Sequence, residues 1–142
     1  MNGKRLASVL RVRHLQERSA RGALAASRHV HRTAESAERD TWESLDAYVA
    51  TPRRGAPAGS LQGTQLLVAS GMLAAERQHL ATEAAAEHVV TATDEWTLAA
   101  RRVEGLERLV ERQTIAEREE SVRRSSNEID DLVLIKFATG AT

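Results

Sequence analysis

The sequence predicts an all-α fold: a long antiparallel two-helix coiled-coil hairpin with a C-terminal helical overhang, residues 1–142 forming one such hairpin. Three observations predict it. Apolar residues recur at steps of three and four along two long runs, as a coiled-coil seam requires. One breaker separates the runs, Thr51-Pro52-Arg53-Arg54-Gly55-Ala56-Pro57-Ala58-Gly59-Ser60, which holds both prolines of the chain. Proline lacks a backbone donor and clashes with the preceding turn, so no helix runs through this segment. The composition is that of long helices, rich in Ala, Glu, Arg and Leu, with only 3% aromatic residues to fill a globular core.

The first helix is expected over about residues 4–50. Its apolar positions are Leu6, Val9, Leu10, Val12 and Leu15, then Ala20, Ala23, Leu24, Ala26, Val30, Ala34 and Ala37, and finally Leu45, Tyr48 and Val49. The alanines in the middle let two backbones approach closely. The loop is expected over 51–60, with Ser60 capping the second helix through its side-chain oxygen. The second helix is expected over about 61–138. Leu66, Leu73 and Leu80 fall seven apart, as do Ala92, Ala99 and Leu106, with Trp96, Val103 and Val110 interleaved. Ile115, Val122 and Ile129 form a further seven-residue series in a different phase, so the seam shifts around the helix near residues 110–115. The apolar run at 132–135 points to a second contact surface.

At 1.5 Å per residue the first helix is about 70 Å long and the second about 115 Å. With the turn centred near residue 55, residue 4 stands opposite residue 106. Residues beyond about 108 then have no partner within the chain, and the stripe Ile115, Val122, Ile129 and Leu132 favours docking of this overhang onto something else. Net charge is zero, but unevenly spread. Residues 1–54 carry 11 Lys/Arg and 6 Asp/Glu, whereas residues 61–142 carry 9 and 14. Opposed helices of opposite sign select their own pairing, although each exposed ion pair adds only a few tenths of a kcal/mol.

The chain carries little that reads as chemistry. It has no cysteine, no glycine-rich phosphate loop before a Lys-Ser/Thr pair, and no apolar stretch near the ~20 residues that cross a bilayer. His29 and His31 point about 200° apart on a helix and cannot share a metal; Asp130 and Asp131 are helical neighbours that do not face each other. No enzymatic activity, cofactor or metal is expected. The N-terminal arginines, including Arg11 and Arg13, have no interleaved aromatics to stack on bases, so pairing with the acidic second helix is favoured over nucleic acid. Trp96 falls in phase with Val103 and Val110 as a seam residue. Trp42, Leu45, Tyr48 and Val49 gather near the hairpin tip, opposite small residues, and are candidates for partner contact.

Three blocks carry a family resemblance. They are the opening Arg5-Leu6-Ala7-Ser8-Val9-Leu10-Arg11-Val12-Arg13 with Gln16-Glu17; Trp96 followed by Ala100-Arg101-Arg102-Val103-Glu104-Gly105-Leu106-Glu107-Arg108-Leu109-Val110-Glu111-Arg112; and Asn127-Glu128-Ile129-Asp130-Asp131-Leu132. In this order and spacing the chain resembles the flagellar type III export protein FliJ family over nearly its whole length. It departs from the family pattern at Ser125-Ser126, where charged residues are usual, and at Val133-Leu134-Ile135, where small and basic ones are.

The resemblance implies a coiled-coil stalk similar to the central stalk of rotary ATPases. Its implied partners are the flagellar export ATPase ring, the cytoplasmic domain of the export gate and export chaperones. It implies a cytoplasmic protein, peripheral at the inner membrane, that couples ATPase to gate without chemistry of its own. On physical grounds the paired termini (Arg11 and Arg13 against Glu107 and Glu111) and the overhang are assigned to the ATPase ring, and the tip cluster to the gate or a chaperone. Two other readings fit the same residues: a coiled-coil scaffold that self-associates through the overhang, and an amphipathic helix pair that binds anionic membrane or nucleic acid.

Overall fold

The computed structural model describes residues 3–51 and 58–140. It contains two helices, α1 (Gly3–Ala50) and α2 (Ala58–Gly140), packed against each other, with no strand among the described residues. The fold is an all-α helical hairpin. α1 stops where the sequence says it must: Thr51 precedes Pro52, and a residue before proline is pushed out of helical geometry. The Thr51 N–H donates to the Tyr48 carbonyl at 3.4 Å and its hydroxyl to the Ala47 carbonyl at 2.8 Å, so the end of α1 is partly self-capped. Most of the loop expected over 51–60 lies outside the described residues. α2 begins at Ala58, earlier than expected, which places Ser60 inside the first turn and not at the cap; its carbonyl accepts from the Thr64 hydroxyl.

Packing divides the chain into two units, one of Met1–Gln16 with Ala99–Thr142 and one of Glu17–Leu98. In the second unit Leu45 lies against Gly71, Glu38 against His79, and Glu17 against Trp96, so the helices are antiparallel. In the first unit Gly3 lies against Gln113 and His14 against Glu107, again antiparallel. Leu45 and Gly71 are equidistant in sequence from residue 58, as are Gly3 and Gln113. The pairing therefore centres three residues later than expected, and each residue of displacement counts twice along an antiparallel pair. The paired part of α2 reaches Gln113 instead of stopping near residue 106.

The inward positions keep strict heptad steps. On α1 they are Leu6, Leu10, Arg13, Glu17, Ala20, Leu24, Ser27, His31, Ala34, Glu38, Thr41, Leu45 and Tyr48. On α2 they run Thr64, Val68, Gly71, Ala75, Gln78, Thr82, Ala85, Val89, Ala92, Trp96, Ala99, Val103, Leu106, Val110 and Gln113. This corrects the apolar seam expected from sequence. Val9, Val12, Leu15 and Val30 face solvent, while Arg13, Glu17, Ser27, His31 and Glu38 take seam positions. Leu66, Leu73 and Leu80 also face solvent, on the side of α2 opposite the seam. The reason is steric and periodic. Heptad steps from Leu6 and Leu24, 2% and 4% exposed, fix α1's phase; the facing α2 residues are then small enough to admit them.

The seam is thin but satisfied. The hydroxyl of Thr41 donates to its own helix at the Ala37 carbonyl. Among the described residues no buried side-chain polar atom lacks a partner. The oppositely charged halves do not pair as expected. Arg21, Arg108 and Arg124 pair within their own helices, with Glu17, Glu104 and Glu120, and the ion pairs between helices use His14 and His79.

Glycine positions separate two cases. A Cβ on Gly22, Gly63 or Gly105 would meet nothing within 4 Å, whereas one on Gly71 would stand 2.8 Å from Leu45 Cδ1. Replacing Gly22, Gly63 and Gly105 with alanine is expected to stabilise the hairpin by up to about 1 kcal/mol each, since alanine is the better helix former. Gly71→Ala gains the same propensity but must displace Leu45, so its thermal midpoint should fall short of each of the others.

Candidate partner-binding surfaces

The tip of the second unit carries an open groove of about 410 Å³, lined by Asp40, Thr41, Ser44, Leu45 and Tyr48 of α1 and by Leu67 and Gly71 of α2. It exists because Gly71 offers no side chain where Leu45 crosses it. The four residues expected as one tip cluster form two surfaces. Leu45 and Tyr48 are half-buried and line the groove. Trp42 and Val49, seven residues apart, share a different face of α1, where they are 40% and 60% exposed.

Further along the same unit, two polar contacts cross between the helices. The half-buried Trp96 indole N–H donates to Glu17 Oε1 at 2.8 Å, and Arg21 donates to the same oxygen at 2.7 Å. His79 Nδ1 stands 2.8 Å from Glu38 Oε1, with Glu83 3.4 Å from the other ring nitrogen. Hydrogen bonds from Thr82 and His79 hold the Glu38 carboxyl below its ordinary value of 4.5. The hydrogen bond and charge of Glu38, aided by Glu83, hold the His79 imidazole above its ordinary 6.5.

The pair therefore has a pH window. A raised histidine stabilises fully below its unfolded pKa and loses that contribution as pH rises through the folded one. A lowered carboxyl stabilises above its unfolded pKa and loses that contribution as pH falls through the folded one. The two overlap between about pH 4.5 and 6.5. The gap in thermal midpoint between the native chain and His79→Gln should be largest there and narrow by about pH 8.5. A gap independent of pH would show that His79 acts through packing alone.

In the first unit, Arg11 is exposed, and Arg13 is half-buried with its guanidinium donating to Gln16 at 2.9 Å. The residue that meets Glu107 is His14, at 3.2 Å. Histidine takes this place because His14 lies beside the seam position Arg13, on the side that faces α2 at Glu107. The expected pairing of Arg11 and Arg13 with Glu107 and Glu111 is corrected accordingly.

Beyond Gln113, every described residue of α2 is exposed, from Thr114 to Gly140. Ile115, Val122, Ile129 and Leu132 all stand on this stretch, with Val133, Leu134, Ile135 and Phe137 following. The hairpin seam ends at Gln113, and Ile115 lies about 200° around the helix from it. The apolar stripe is therefore not a continuation of the hairpin seam, which accounts for the change of phase read near residues 110–115.

Sequence reasoning missed Glu17, Glu38, His14 and His79 as contacts between the helices. The signal that finds them is the heptad phase of Leu6 and Leu10 carried forward regardless of polarity, since Glu17 and Glu38 then fall inward. Among the described residues no group of three or more His, Cys, Asp or Glu side chains is placed to hold a metal, and no helix is long and apolar enough to cross a membrane.

The arrangement is a pair of helices with a thin polar-spotted seam and with exposed apolar residues at both ends of α2. No curated protein and no solved structure matches the chain. The family model described as "Flagellar FliJ protein" matches residues 1–142. That match spans the whole chain, including the Trp96 block in the seam and the Asn127–Leu132 block on the exposed stretch, and on that ground the chain belongs to the flagellar FliJ family, with a role related to flagellar export.

Proposed function

We propose that the chain is a helical stalk of the flagellar type III export apparatus, coupling the export ATPase ring to the cytoplasmic domain of the export gate and escorting export chaperones. It would work at the cytoplasmic face of the inner membrane and perform no chemistry itself. The observation that carries the reading is the exposed stretch Thr114–Gly140, a helix with an apolar stripe that its own hairpin does not cover. Such a stripe is the form in which a helix enters a groove or ring. The assignment gives Ile115, Val122, Ile129 and Leu132, with Arg11 and Arg13, to the ATPase, and Trp42, Leu45, Tyr48 and Val49 to the gate or a chaperone.

The test is a pull-down of the purified chain against the export ATPase and the gate's cytoplasmic domain, with hydrolysis recorded alongside. Specific binding with stimulated hydrolysis is expected. Replacing Ile115, Val122 and Ile129 together with glutamine should weaken ATPase binding at least roughly tenfold, since each removes an exposed aliphatic contact, while far-UV circular dichroism stays helical. Trp42→Ala with Val49→Ala should affect only the gate or chaperone. Full ATPase binding by the triple variant would overturn the assignment of the ends, and no binding by the native chain would overturn the reading.

A further inference from the structure

The exposed stretch of α2 carries a pattern that its hairpin does not use. Ile115, Val122, Ile129 and Lys136 are seven apart; Glu119, Ser126 and Val133 are also seven apart, each four residues after a member of the first set. Together they alternate steps of four and three, which makes one continuous coiled-coil face. All are exposed. Among the described residues, Glu119, Arg123, Asp130 and Lys136 make no ion pair, although Glu120 and Arg124 beside them do.

We propose that this face pairs with the same face of a second copy of the chain, antiparallel, in a reversible dimer. The pattern is self-complementary in that orientation and in one register. Val122 then stands opposite Val133 of the second copy, and Ile129 opposite Ser126. Glu119 falls opposite Lys136, and Arg123, on the flank of the face, beside Asp130. Twofold symmetry repeats each contact, so four apolar–apolar or apolar–small layers are flanked by two Arg–Asp and two Glu–Lys pairs of opposite sign. The parallel orientation sets the face positions against their own kind, so Glu119 and Lys136 each meet a like charge, while Arg123 falls beside Arg118 and Asp130 beside the uncharged Ser125. Charge thus selects the antiparallel dimer. The layers are few and small, so the dimer is weak, populated at roughly 100 µM and dissociated well below that. It covers the stripe assigned above to the ATPase, so dimerisation and that docking exclude each other.

Sedimentation equilibrium of the full chain tests this without any export protein, so its failure leaves the stalk reading standing. The native chain should move from 15.6 kDa towards twice that mass as concentration rises. Arg123→Asp and Asp130→Arg, each alone, should weaken self-association roughly tenfold by turning two attractive pairs repulsive. An equimolar mixture of the two variants should recover it, because the reversed charges complement each other across the mixed dimer. Val122→Asp with Ile129→Asp should hold the chain at 15.6 kDa, with its helicity retained. A native chain that stays monomeric, a dimer indifferent to the charge reversals, or a mixture that does not recover would each overturn the proposal.

Discussion

Replacing Leu24 with aspartate is expected to cost at least about 3 kcal/mol, the loss of a buried leucine plus the burial of a charge. In a chain of this size that corresponds to a fall in thermal midpoint of roughly 10–20 °C. Leu24 is 4% exposed and is one of only two large aliphatic side chains buried on α1, the other being Leu6. In the register of the helices it stands opposite Ala92, which contributes little apolar area of its own, so the seam has few places from which to make up the loss. Leu15→Asp and Val30→Asp are the controls. Both residues are 58% exposed, and both substitutions should stay within about 1 kcal/mol, mostly helix propensity. Thermal melts followed by circular dichroism separate the cases. Equal damage from Leu24→Asp and Leu15→Asp would mean that α1 is buried over a broader face than the heptad phase allows.

That contrast also shows what the sequence made legible. The two helices, the break between them and the bare end of α2 follow from periodicity and from two prolines, which are local signals. The phase of the seam is not local. Along α1, Leu6, Val9, Leu10, Val12 and Leu15 offer two overlapping stripes, and hydrophobicity alone prefers the one with more large residues. The hairpin selects the other, in which Leu6, Leu10 and Leu24 alternate with Arg13, Glu17 and Ala20. Only the partner helix distinguishes them: α2 presents Gly71, Ala75, Ala85 and Ala92 inward, and a wall of small residues closes best on a face that also carries small and polar groups. The same logic hid Leu66, Leu73 and Leu80. Their seven-residue spacing is real, but it marks the outer face of α2. The exposed stripe beyond Gln113 was legible because no partner competes there to choose the phase.

The contact between Trp96 and Glu17 is where packing and polarity in this seam meet, and it supports the second large prediction. The indole is half-buried at a seam position flanked by Ala92 and Ala99, and its N–H donates to the carboxylate that Arg21 also holds. Trp96→Ala removes the largest side chain of the seam and the donor together, and is expected to cost about 2–3 kcal/mol. Trp96→Phe keeps most of the packing and should cost about 1 kcal/mol, the net worth of the hydrogen bond. In a Trp42→Phe background the remaining indole reports on the seam directly. Its emission should be blue-shifted from that of the 40% exposed Trp42, and should move red in the Leu24→Asp variant as the seam opens. The ordering matters more than the sizes. If Trp96→Phe were as costly as Trp96→Ala, the hydrogen bond to Glu17 would be setting the register of the helices. A phenylalanine without cost would mean that Arg21 alone satisfies the carboxylate, and that the indole is there for its volume, filling the gap that the alanines on either side leave open.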